Sequence, residues 1–153
     1  GWLFSAYFIV YILLQRPVGR WSDRQGRKKP ILLGLSIYTL AVLFLSQEGG
    51  LFYMMAILAV AGAGLGIYSP SIRVAIADLS AEKVRGASLG FFFTTRMIGF
   101  FLGPNISGLL ADRFGQGFPF LVGAAGLGGA LWAAFNLSAR LTKKAAQAAS
   151  FPG

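Results

Sequence analysis

Five apolar runs, each near the length that crosses a layer of hydrocarbon, leave this chain little choice of solvent. They start with "GWLFSAYFIVYILLQ" at Gly1 and "ILLGLSIYTLAVLFLS" at Ile31, then extend from about Leu51 to Ala77, Ala87 to Ala111 and Phe118 to Ala139. A bilayer core of about 30 Å takes roughly 20 helical residues. None of the runs shows a strong polar stripe, as a helix of a soluble bundle would. The short alternating segments of a β-barrel are absent as well. The expectation is an all-α, polytopic integral membrane protein with five transmembrane helices, over about 1–17, 30–47, 51–77, 87–111 and 117–139. With 56% hydrophobic and 12% charged residues, the chain has too little polar surface for water.

The bases set its sidedness, because cytoplasmic loops hold an excess of Lys and Arg. Arg16, Arg20, Arg24, Arg27, Lys28 and Lys29 fall between the first two runs, Arg73, Lys83 and Arg85 after the third, and Arg140, Lys143 and Lys144 after the fifth. The alternate connections, "QEGG" and "DRFGQG", contribute Arg113 alone. Gly1 is therefore expected near the outside, and residues 140–153 are expected inside as a basic cytoplasmic tail or the start of a central linker. Bases confined to loops in this way do not form a nucleic-acid face, despite a formal net charge of +9.

The chemistry of a familiar enzyme is missing. There is no Cys and no His, which excludes disulfides, thiolate or imidazole metal sites and Ser-His or Cys-His pairs. The acids Asp23, Glu48, Asp78, Glu82 and Asp112 lie at or near the ends of apolar runs and offer no carboxylate pair. No active site, cofactor or metal is expected. Gly-x-Gly at Gly62, Gly64 and Gly66 is read as close helix packing, since no strand precedes it to make a dinucleotide fingerprint.

The first basic connection, "GRWSDRQGRKK", places Gly19 and Gly26 where a tight turn of about ten residues would need backbone freedom, and Pro30 where a helix would start. It resembles the signature loop of the major facilitator superfamily (MFS): Gly19, Asp23, Arg24, Gly26, Arg27 and Lys28 match, while Trp21 and Gln25 depart from it. The resemblance implies that the loop joins the second and third helices of a six-helix half, and that Asp23 and Arg27 act as a conformational latch of the cytoplasmic gate. "ADLSAEKVRGASLG" resembles the second cytoplasmic connection, with Asp78, Arg85 and Gly86 bracketing the turn. "GFFLGPNISG" is similar to the Gly-rich fifth-helix motif of proton-linked drug antiporters, with Ser107 in place of a second Gly.

Inside the spans, Arg96 draws attention. It lies about 16 Å along its helix from Arg85, near mid-membrane, where an ionisable residue is costly unless it faces protein or water. Helical spacing sets Phe92, Arg96, Gly99, Gly103 and Ser107 on one side, with Asn105 opposite. Pro104 and Pro70 would bend their helices. Arg96, Gly99, Gly103, Pro104 and Ser107 are the candidate substrate or coupling path, with Tyr68, Ser69, Thr94 and Thr95 as further lining residues.

An odd number of helices leads us to expect a fragment, with one more helix before Gly1. The stretch "MMAILAVAGAGLG" lacks the Arg that the family's first half carries there, and the basic tail soon follows the last span. Both favour helices eight to twelve, although "GFFLGP" pulls toward the first half. The resemblance implies a secondary transporter of a small solute by alternating access, with proton-coupled efflux as one form and an anionic substrate suggested by Arg96. Its partners would be the lipid bilayer, protons and the other half of the transporter, and its place a plasma membrane, the bacterial inner membrane foremost. The rival from another class is a non-transporting membrane receptor or scaffold with the same fold.

Overall fold

A computed structural model describes the backbone of residues 2–47 and 49–149, and the side chains of residues 5–22, 26–47 and 49–136. Among the described residues the chain is all-α: α1 (Trp2–Gln25), α2 (Lys28–Phe44), α3 (Leu51–Leu79), α4 (Arg85–Phe114) and α5 (Phe118–Ala149), with one 3-10 turn at Glu82–Val84. By length and composition two of the described helical stretches can cross a membrane, Leu51–Leu79 and Phe118–Asn136, with mean hydropathy of 1.9 and 1.6.

Glycines end two of these helices. Gly26 has φ +86° and breaks the chain between α1 and α2, and Gly115, at φ +94°, stops α4 while its N–H donates to the Ala111 carbonyl at 2.9 Å. The first basic connection is shorter than its composition suggests, because α1 continues through Gly19 to Gln25. Hydropathy marks where a helix leaves hydrocarbon, and a helix can run on into water. Gly19 is accordingly helical, and a Cβ there would meet nothing within 4 Å, so the turn depends on Gly26. Pro30 sits buried in the first turn of α2, where its missing N–H costs nothing. Pro17, Pro70 and Pro104 all lie within helices that continue past them.

Small residues, not large ones, make the seams. Buried positions include Gly34, Ala41, Ala61, Gly62, Gly64, Gly66 and Ala124 beside Val18, Leu35 and Leu65, whereas Phe52, Phe91 and Phe100 are 86%, 77% and 77% exposed. That inversion suits a chain whose solvent is itself apolar, where contact between helices must come from close packing. Helix α3 is the centre of it. Gly62 and Gly66 lie against the backbone of Tyr7 and Tyr11, so α1 runs parallel to α3, while Gly64 lies against Tyr38 and Gly34 against Tyr68, so α2 runs antiparallel. A Cβ on Gly64 would come within 2.6 Å of the Tyr38 backbone nitrogen and 2.9 Å of the Gly34 carbonyl oxygen. On its other side α2 meets α5, where Gly117 abuts the Ser46 carbonyl and Gly123 the Val42 side chain.

Several polar side chains in the apolar segments bond to their own helix. Ser36 and Thr39 donate to the carbonyls of Leu32 and Leu35, each at 2.8 Å, and Thr95 and Asn105 do the same on α4, at 2.9 and 2.8 Å. Such bonds to the preceding turn cover hydroxyls and amides that hydrocarbon cannot solvate. Helix α4 stands apart, with no buried residue, and a Cβ at Gly99, Gly103 or Gly108 would meet nothing within 4 Å.

This contrast between glycines is testable. Gly64→Ala should destabilise the fold by about 1–3 kcal/mol, because backbone and not a movable side chain blocks the added methyl. Gly99→Ala should be neutral or stabilise by up to about 1 kcal/mol through helix propensity. Thermal unfolding of both variants in detergent measures the difference.

Candidate functional site

The close approach of α1, α2 and α3 decides which side chains look into the space before α4. Tyr7 and Tyr11 are one turn apart on α1, beside the Gly62 and Gly66 contacts; Tyr38 lies on α2 against Gly64, and Tyr68 on α3 against Gly34. The Tyr38 and Tyr68 rings meet at 5.9 Å between centroids with a 53° tilt. Together the tyrosines line a cavity of about 540 Å³ that α4 closes on its far side with Arg96 and Phe100. No described acid lines it. Arg96 forms no ion pair among the described residues.

A second cavity, of about 600 Å³, lies further along the gap between α2, α4 and α5, and shares Tyr38, Val42 and Leu45 with the first. Ser107, Gly108 and Asp112 of α4 face it, with Gln116 beyond the helix end. Of the side assigned to α4 from helical spacing, Arg96 and Ser107 do look into the gap. Phe92 and Thr95 line a separate crevice against Ile76 instead, and Gly99 and Gly103 have no neighbour close enough to touch an added Cβ. Pro104 is exposed within α4, as is Thr94. Ser69 is buried on α3, and its hydroxyl has no hydrogen-bond partner, while its carbonyl accepts from Arg73 Nε at 3.2 Å.

The basic ends come together through a contact that neither motif contains alone. Arg27 Nε donates to Asp78 Oδ2 at 3.0 Å, tying the turn after α1 to the last turn of α3 across 51 positions. The two side chains are 30% and 55% exposed, so water screens them, and a pair of this kind is worth roughly 0–1 kcal/mol. Arg85, first residue of α4, donates from Nε to the Ala77 carbonyl at 2.9 Å and so caps the negative end of α3. Gly86 follows it in the first turn of α4, with open space around its Cα. Lys28 starts α2 and is exposed. The side chains of Asp23 and Arg24 lie outside the described residues, and the expected Asp23–Arg27 pairing with them.

Sequence reasoning found Arg96 and Tyr68 but missed Tyr7, Tyr11 and Tyr38. The available signal was the phenol spacing itself, Tyr7 and Tyr11 one turn apart in an apolar run, and it could not say which face looks inward.

Residues 1–152 match the family model described as Major Facilitator Superfamily. Multidrug resistance protein 2 of Bacillus subtilis is 34% identical over 127 residues, a match covering 82% of this chain and 31% of that protein. Multidrug resistance protein MdtG of Proteus mirabilis is 33% identical over 128 residues, with 82% and 31% covered. The chain thus spans about a third of the length of these curated relatives. A crystal structure of the peptide transporter POT, an E310Q mutant in complex with alafosfalin, superposes with a TM-score of 0.74 at 17% identity, covering 88% of this chain and 29% of that one. With a family match across nearly its whole length and helices that superpose on a transporter of known structure, the chain belongs to the Major Facilitator Superfamily.

Proposed function

We propose that this chain forms helices eight to twelve of a secondary transporter, which moves a small solute by alternating access in a bacterial inner membrane. All five helices then span the bilayer, with the Arg27 and Arg85 ends in the cytoplasm. The observation that carries the reading is the cavity of about 540 Å³ between α1–α3 and α4, which holds one permanent charge, Arg96, among aromatic walls. A fixed charge in an apolar span is expensive unless it faces protein or water, and its presence there points to a path for solute or ions. Relatives named for multidrug resistance support efflux as the direction and a drug-like solute as the cargo. Since no described acid lines that cavity, a proton carrier would come from the other half of the transporter.

The Arg27–Asp78 pair suits the proposed cytoplasmic latch, with Asp23 as a further member. An exposed bridge can break and re-form in every cycle because little free energy is held in it. The latch works by biasing two states and not by strength.

Two outcomes test this. Arg96→Ala in the intact transporter should abolish solute flux in proteoliposomes while membrane levels stay normal, and unchanged flux would sink the reading. Arg27→Gln and Asp78→Asn should each slow flux several-fold, with the double variant no slower than the worse single one. Losses that multiply would show that the two residues do not act as a unit.

A further inference from the structure

Among the described residues two buried hydroxyls, those of Ser22 and Ser69, find no hydrogen-bond partner. Both residues are 2% exposed, so the described helices themselves cover them, and no group from the rest of a longer transporter can reach them in this arrangement. Other hydroxyls bond to the preceding turn. Ser71, 1% exposed, donates to the Ile67 carbonyl at 3.3 Å. A hydroxyl taken out of water without a partner penalises the state that buries it.

Both orphans lie in one seam. Tyr7 stands against Gly62 and Tyr11 against Gly66, which also faces Leu14. The same register, continued along these parallel helices, sets Leu14 level with Ser69 and Ser22 level with Ala77. Ser69 follows Gly62 and Gly66 on one face of α3, and Ser22 follows Tyr11 and the buried Val18 on one face of α1. The seam is therefore unequal along its length. Its first half is backbone seated on glycine, whereas its second half, toward Arg27, holds both unpaired hydroxyls. Pro70 comes directly after Ser69, so the Gly66 carbonyl lacks its usual helical donor and α3 is least braced where the penalised half begins. At the far end of that half Ala77 is followed by Asp78, whose bridge to Arg27 is exposed and weak. We infer that the α1–α3 seam between Ser69 and Asp78 is a bistable element: the Arg27–Asp78 pair holds it closed, and the hydroxyls of Ser22 and Ser69, which gain partners when the helices part, favour its opening. For its use in transport this rests on the alternating-access reading above, and it locates part of that motion between α1 and α3.

Hydrogen exchange of the intact transporter in detergent, read over residues 14–25 and 69–79 and compared with residues 54–66, tests the inference. Ser22→Ala and Ser69→Ala should each slow exchange in the first two segments about fivefold or more, because loss of an unpaired hydroxyl favours the closed seam, and should leave residues 54–66 unchanged. Ser71→Ala removes a hydroxyl that is as deeply buried but partnered, and should bring no such slowing. Asp78→Asn should speed exchange. If Ser22→Ala and Ser69→Ala both leave exchange unchanged or make it faster, the inference fails, since the hydroxyls then cost nothing or hold bonds in the closed seam, as to a bound water. Equal slowing in Ser71→Ala, or slowing spread over residues 54–66, would also overturn it by marking a general gain in packing. Unchanged exchange in a protein that carries solute in proteoliposomes removes the seam device and leaves transport standing. The expected slowing in a protein that carries no solute upholds the device and counts against transport.

Discussion

The backbone contact between α3 and its two neighbours is the constraint on which the rest depends. Helices surrounded by lipid gain little from burying apolar surface against one another, since the tails are as apolar as the side chains. What remains is dispersion at short range, and this requires backbones to touch. Helix α3 meets that demand on two faces at once: Gly62 and Gly66 seat α1, and Gly64 with Gly34 of the partner helix seats α2. Three glycines at alternate positions can serve two neighbours because a helix turns about 100° per residue, so alternate positions diverge while positions four apart coincide.

The aromatic wall follows from that packing. Tyr7, Tyr11, Tyr38 and Tyr68 are the residues whose backbones meet glycines, so the seams that hold the helices also fix where the phenols point. Helix α4, whose own glycines touch nothing among the described residues, is held back from this cluster, and the gap becomes a cavity instead of a seam. The ends behave in the opposite way. There the connection between α1 and α3 is an exposed ion pair, Arg27 to Asp78, easily broken by water.

The class of the fold was legible because hydrocarbon imposes a length, and apolar runs of that length can be counted. So were the turn at Gly26 and the packing role of Gly62, Gly64 and Gly66, each tied to a local rule about φ or size. Helix ends were less legible: α1 outruns its apolar stretch and continues to Gln25, since polar residues are as able as apolar ones to continue a helix once it is in water. Gly99 and Gly103 read as members of the candidate path, yet a Cβ at either would meet nothing within 4 Å, and spacing along a helix does not say what stands opposite it.

The sequence by itself determined the all-α class of this protein and the order of its apolar runs, because these depend on composition along a line. Only the tertiary structure decided that α1 lies parallel to α3 across their glycines, that Arg27 reaches Asp78, and that four tyrosines from three helices share one cavity with Arg96. Those are relations between positions far apart in the chain. They are set by which helix faces can come close enough to touch, and a one-dimensional pattern of residue types does not contain that distance.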